Sequence, residues 1–482
     1  MAGIGFELKK LFRSDLLLDK IRGISYATLV SIGPMIISIS MIVILNQILM
    51  AMHTPLQDRE FVVSTIMYAY VFAMINVSGF VMIISRYIAD KIYIKDFQDV
   101  LASLVGVIAI TVLTGGIAGF VFFLGSPLPV LIKFASYCLL IELSILFILM
   151  AYVSALKDYK RIAVSYGIGV VLTILGSILL ILAKVSAPVA VLVSFALSFL
   201  ITIFRLLATI RRSFSHMSDN LFDFLVYVKK MPLLFFTNLC YTLTLFVHNF
   251  IFWRFSNLAV EMKGTYLYAP AYDSATFLAV LTIIPITVMF VVKGETSIYD
   301  QYRNFCQMIA NGATLKLIGT AKTQMNEVIR KELSFIFEVQ LIITVLLIIF
   351  GINVFLPLLG SSTLTKELFV LMAIAYFLTY MTYMVITLLL YFDNQEATFA
   401  ITSFFLLATI IFTGITLRLG ERYYGLGLIA SALISLLIGL YVLEKTVNQI
   451  DYRMFSKQPY IITHLPVPKD ASVSLPDKEK HE

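Results

Sequence analysis

Residues 271–295 read AYDSATFLAVLTIIPITVMFVVKGE, with Asp273 just before an apolar run and Glu295 just after it. Two acids close together can share acid–base work. These two cannot, because as a helix the stretch between them is roughly 33 Å long at 1.5 Å per residue. Each must be read alone. Asp273 stands at a helix N-terminus, where exposed amides favour a carboxylate; it either caps the helix or meets cargo at the mouth of a path. Glu295 follows Lys293 and opens a polar segment with Asp300 and Arg303, a set suited to gating or to docking a partner.

Other polar groups interrupt long apolar runs. Glu142 lies well inside one, where an ionisable group normally faces water or protein; it is a path carboxylate or the structural partner of Lys133 or of a neighbouring helix. Asn76, like Asn46 and Gln47, suits a polar path or an interhelical hydrogen bond. Asn238, Tyr241, His248 and Asn249 recur along a single run. His248 is a proton-coupling group or a hydrogen-bonded histidine near the outer surface. Tyr68, Tyr70, Tyr376, Tyr380 and Tyr383 fall mid-run, among 25 tyrosines and 38 phenylalanines. A tyrosine offers a flat face to a sugar ring and a hydroxyl to its substituents, and equally packs helices.

Enzymatic chemistry finds no support. GxGxxG, the phosphate loop GxxxxGK[ST], HExxH and a usable GxSxG are missing, so no nucleotide, metal or other cofactor is indicated. Cys138, Cys240 and Cys306 form no CxxC, which argues against a zinc site or a disulfide framework.

The elements that must carry these groups are membrane spans. The chain is 60% hydrophobic and 13% charged, far from the quarter charged that is usual of soluble domains. Runs long enough to cross a bilayer of about 30 Å fall at 24–50, 61–85, 101–124, 129–153, 162–183, 187–208, 231–253, 272–292, 337–359, 367–391, 397–417 and 424–443. The expected fold class is therefore an all-α polytopic membrane protein with twelve transmembrane helices. Placing the N-terminus in the cytoplasm leaves 28 of the 36 Lys and Arg on that side, as the positive-inside rule requires. The formal charge of +7 is thus a matter of topology, with no nucleic acid implied. Both termini are then cytoplasmic and the protein lies in the cell membrane.

Starts in the first six spans match those in the second six at nearly constant offsets, apart from one jump before the ninth span. The organisation expected is a cytoplasmic amphipathic helix at 1–23, a six-helix bundle at 24–208, a cytoplasmic linker helix at 209–230 and a second bundle at 231–443. That bundle carries a cytoplasmic insertion at 293–335, with a helix break near Asn311 and an i,i+4 pair from Glu327 to Lys331; a tail follows at 444–482. Equal topology makes the repeats parallel, a transporter plan with the cavity between halves. Pro34 and Pro232 sit at corresponding places and are expected to bend their spans, as are Pro285 and Pro357.

The opening MAGIGFELKKL with GISYATLVSIGPMI, then YDSATFLAVLTIIP at 272–285, the acid in VVKGE and the tail YRMFSKQP resemble the PelG family from Met1 to about Pro459. The resemblance implies the MATE-like, polysaccharide-exporter fold in two bundles and transport of an N-acetylhexosamine-rich exopolysaccharide of biofilm matrix. It also implies partners: a cytoplasmic PelF-like glycosyltransferase and PelD-like and PelE-like membrane components. Beyond Glu295 the chain reads GETSIYDQY and departs from a richer acidic patch, with Asp300 standing in for its charge. Two other functions fit the same architecture: a scaffold that recruits and activates the glycosyltransferase, and an ion-coupled flippase for drugs or lipid-linked oligosaccharides.

Overall fold

The structure, a computed structural model, describes residues 37–156, 159–214, 217–358 and 360–456, apart from the side chains of Tyr159, Glu295, Thr296, Leu358 and Phe455. The expected amphipathic helix at 1–23, Pro34 and the end of the tail lie outside the described residues.

Apolar runs with no charge to solvate leave the backbone one option in lipid, to bond within a helix. Among the described residues, eleven helices are long and apolar enough to cross a membrane, and a shorter apolar helix, α1 (Ile37–Ala51), precedes them. The first set continues with α2 (Leu56–Tyr93), α3 (Gln98–Leu124), α4 (Val130–Ala155), α5 (Tyr159–Leu182) and α6 (Ala187–Ser213). A connecting segment ends in α7 (Leu225–Lys230), and α8 (Pro232–Phe255) leads into a hairpin of β1 (Val260–Met262) and β2 (Tyr266–Tyr268). There follow α9 (Pro270–Leu281), α10 (Ile284–Lys293), α11 (Tyr299–Ala310), α12 (Leu315–Phe350), α13 (Thr363–Tyr391), α14 (Gln395–Leu419), α15 (Leu426–Asn448) and α16 (Ile450–Ser456).

Packing repeats along the chain. In the first set α2 packs on α4, α4 on α6, α5 on α6 and α3 on α4; in the second α9 packs on α13, α13 on α15, α14 on α15 and α12 on α13. The two sets meet chiefly where α2 packs along α8.

Two expectations need revision. Pro232 does not bend a span; it is the first residue of α8, where its missing N–H costs nothing. The linker is not one helix over 209–230, because α6 runs to Ser213 and only Leu225–Lys230 is helical again. Phe224 is fully buried there, while Leu221's carbonyl oxygen would stand 2.0 Å from a Cβ added at Gly106, so glycine lets the linker backbone lie on α3. The helix that carries the ninth span, 337–359, begins well before it. The chain turns at Gly312 (φ +65), and α12 runs unbroken from Leu315 to Phe350. At about 54 Å it joins the end of the insertion to the span.

Pro285 does interrupt its span. The helix stops at Leu281 and restarts at Ile284, and the carbonyl of Thr282 in the break accepts from Gln340 Nε2 at 2.9 Å. Gln340, on α12, is fully buried, so a neighbouring helix satisfies a carbonyl that lies within the break.

The hairpin and the connecting segment mark opposite ends of the helix array. At the linker end Lys91 meets Asp96 at 3.2 Å, Asp223 at 3.4 Å and also Asp99, and Ser218 Oγ donates to Asp99 at 2.6 Å. At the same end Lys322 pairs with Asp451 at 2.8 Å and donates to the Asn448 carbonyl at 2.6 Å, and Arg330 pairs with Glu444 at 3.1 Å. Among the described residues no ion pair joins Glu327 to Lys331; the contacts between helices here use other residues.

Candidate functional site at the junction of the helix sets

Small residues let α2 and α8 approach. A Cβ at Gly79 would fall 2.4 Å from the Phe235 ring, and one turn along α8 Asn238 Nδ2 donates to the Ser78 carbonyl at 2.6 Å. Asn238 thus fastens one set to the other.

Toward the hairpin, α8 presents three polar groups to α9 and α13. His248, fully buried, has Nδ1 2.9 Å from the Tyr272 hydroxyl and Nε2 3.4 Å from that of Tyr376. Asn249 Nδ2 donates to Asp273 Oδ1 at 2.7 Å, and Trp253 Nε1 straddles both carboxylate oxygens at 3.0 and 2.9 Å. Asp273 Oδ2 also accepts from the Ala269 N–H at 2.8 Å, the amide just before α9. The carboxylate is 3% exposed and surrounded by donors, so it ties down a helix start and an indole together.

Below that group, Tyr241 and Tyr383 rings lie 5.0 Å apart and Tyr380 and Tyr383 5.4 Å apart. Tyr241, Tyr376 and Tyr380 are buried and join His248 and Asp273 in one polar, aromatic seam between α8, α9 and α13.

The first set holds the remaining candidates elsewhere. Asn76 accepts from Thr114 Oγ1 at 2.8 Å and donates to the Thr111 carbonyl at 3.0 Å and to Ser144 Oγ at 3.3 Å. Those bonds knit α2 to α3 and α4. Glu142 on α4 is different: its Oε2 is buried without a hydrogen-bond partner. Among the described residues it makes no ion pair with Lys133. Packing accounts for Asn76 and leaves Glu142 unexplained.

At the linker end the backbone of Glu295 belongs to a π-helical turn, Gly294–Ile298, and its side chain lies outside what is described. Lys293 pairs with Glu332 at 3.0 Å and sits 5.1 Å over the Phe335 ring. Asp300 is half-buried and Arg303 exposed on α11, which docks through fully buried Phe305. These groups lie at the opposite end of the eighth span from Asp273.

Sequence reasoning missed Trp253, Gln340 and the hairpin. Trp253 is the chain's one tryptophan and lies within a turn of Asn249, which was a signal. So was Lys263-Gly264 between short aromatic and β-branched runs. The turn has both central residues left-handed (φ 48 and 67), as a tight hairpin requires.

Among the described residues no cluster of three or more His, Cys, Asp or Glu is placed to hold a metal ion. The arrangement offers buried hydroxyls, ring faces and one unpartnered carboxylate oxygen, which suit recognition of a polar, uncharged cargo better than bond-breaking chemistry.

No curated protein matches the chain. The fold is shared with solved transporters. An outward-facing multidrug resistance transporter of the MATE family, in the MOP superfamily, aligns over 94% of this chain and 99% of its own with a TM-score of 0.61 and 14% identity. A MOP superfamily transporter from Pyrococcus furiosus aligns over the same shares at 0.59 and 16% identity. A Vibrio cholerae MATE transporter covers 92% of this chain and 99% of its own at 0.61 and 11% identity. At such identities the likeness is one of fold. The family described as "PelG: Putative exopolysaccharide Exporter (EPS-E)" matches residues 1–455, nearly the whole sequence. The chain is therefore a multi-pass membrane transporter, not an enzyme, and belongs to the PelG family of exopolysaccharide exporters.

Proposed function

We propose that this protein carries an N-acetylhexosamine-rich exopolysaccharide across the cytoplasmic membrane between two six-helix halves, 24–208 and 231–443, as a cytoplasmic glycosyltransferase extends it. The observation that carries the reading is the exporter family's match over residues 1–455. Two parallel halves of six spans are supported by the repeated helix pairings, with α1 as the end of the first span. Cytoplasmic termini follow from the 28 of 36 cations that this orientation puts inside. The linker end then faces the cytoplasm and the hairpin faces out.

In this reading Glu142 and the seam of Asp273, Asn238, Tyr241, Tyr376 and Tyr380 flank the path, and Asn76 holds the helices that shape it. Tyrosine hydroxyls and ring faces match the substituents and C–H faces of neutral sugars. Glu295, Asp300 and Arg303, with the cytoplasmic part of α12, form the dock for a PelF-like glycosyltransferase, and PelD-like and PelE-like components complete the assembly.

The test is polymer secretion by Glu142→Gln and Asp273→Asn proteins that still bind the glycosyltransferase, beside a binding assay between that enzyme and residues 293–335 in the full chain. Lost secretion with retained binding supports a path. Normal secretion by both variants removes these site assignments, and lost secretion only where binding is lost favours a scaffold.

A further inference from the structure

The β1–β2 hairpin belongs to the second half, yet both of its strands also pack on α2 of the first. Lys263 Nζ pairs with Asp58 Oδ1 at 2.7 Å and sits 4.5 Å over the Phe61 ring. Thr265 Oγ1 and Ser126 Oγ, in the turn between α3 and α4, are 2.7 Å apart. Gly264 (φ +67) lies so near that an added Cβ would be 2.8 Å from Pro127. The Tyr68 hydroxyl, from α2, donates to the Leu267 carbonyl at 2.7 Å and accepts from the Leu267 N–H at 3.1 Å. It thereby occupies both backbone groups of a strand residue, as a neighbouring strand would.

Beneath the hairpin two rings from opposite halves close face to face. Tyr68 and Trp253 lie 4.6 Å apart at 13°, and Tyr266 stands edge-on to Tyr68 at 5.0 Å. Asp273 fixes the indole edge from below. Any parting of the halves at this end must therefore release the hairpin and separate these two faces.

We propose that the β1–β2 hairpin is a strap that holds an exit gate shut, with Tyr68 and Trp253 as the gate's two leaves. The proposal rests on the exporter reading and adds the residues that seal the path. The strap is polar and replaceable by water, built from one ion pair, one hydroxyl pair and one shared tyrosine. The leaves are apolar and close on each other when no sugar ring stands between them.

Ser126 and Thr265 are short and nearly touching, so cysteines there fall within disulfide reach. In full-length protein with Cys138, Cys240 and Cys306 changed to serine, Ser126→Cys/Thr265→Cys is compared oxidised and reduced for polymer secretion. The oxidised form is expected to secrete less than about a tenth of what the reduced form does. Equal secretion overturns the strap while leaving the exporter reading intact. If the native protein itself secretes no polymer, the exporter reading fails and the strap is judged by fluorescence alone. Acrylamide quenching of Trp253, the only tryptophan, is measured in purified protein in lipid nanodiscs. Lys263→Glu, which sets like charges opposite Asp58, is expected to raise the quenching constant at least about twofold, and the cross-link to bring it back. Quenching that responds to neither change overturns the proposal.

Discussion

Asp273 distinguishes between losing a charge and losing an acceptor. Alanine here would leave Asn249 Nδ2, Trp253 Nε1 and the Ala269 N–H facing a void, all of them now bonded to the carboxylate. A buried donor left unpaired costs about 1–3 kcal/mol, so Asp273→Ala should destabilise by about 3–6 kcal/mol even with partial relaxation. Asparagine keeps one acceptor oxygen, which can stay with Trp253 and Ala269. Its amide then faces Asn249, whose own Oδ1 is buried and without a partner. Turning the Asn249 amide over presents that oxygen to the new N–H₂ and restores the bond. Asp273→Asn should therefore cost only about 1 kcal/mol. Thermal unfolding of the detergent-solubilised proteins, followed by Trp253 emission, should rank wild type just above Asp273→Asn and both well above Asp273→Ala. A second arm removes the compensation, because in an Asn249→Leu background the asparagine finds no partner and its cost should rise by about 1–2 kcal/mol. Asparagine as damaging as alanine in the native background would refute the bonding scheme.

Further outcomes follow from the linker end and from α4. Gly106→Val should push Leu221 off α3, seen as faster tryptic cleavage near Lys229 and Lys230 in the folded protein, while Gly125→Ala, where nothing lies near the glycine, should leave cleavage unchanged. Lys91→Met leaves Asp96, Asp99 and Asp223 clustered without their cation; hydrogen exchange of the linker should quicken, and salt should slow it again. Burial alone would raise the Asp451 carboxyl, but the hydrogen bond and charge of Lys322 outweigh it and hold the group below its ordinary value of 3.8. The α12–α16 contact should then be fully present above that value and lost only as pH falls below it, as exchange of α16 amides will report. Glu142→Gln removes a carboxylate with an unpartnered buried oxygen, so unfolding temperature should hold or rise while secretion falls.

The spans were legible because lipid imposes a single rule, long apolar helices, and charges could be counted against it. Pro285 was legible for a related reason, since a proline inside a helix must free a carbonyl wherever it occurs. What holds the Thr282 carbonyl in that break was not, because Gln340 lies far along the chain and nothing local points to it. Asp273 shows the same limit. Its place at a helix start was plain, whereas its three donors come from α8 and from a backbone amide. The linker reads as one helix at 209–230, whereas Phe224 is buried against α3 from a turn. Glu142 stood out in sequence and still does, because packing has not absorbed it.

The length of α12 has a mechanical meaning. Leu315 and Gln340 belong to one unbroken rod, and 25 residues separate them, about 37 Å. Gln340 grips the carbonyl at the break in the eighth span, so that break is the fulcrum's neighbour. A tilt of about 5° there swings the Leu315 end by about 3 Å. Load applied at that end is thus felt at the one place where the neighbouring span is already divided.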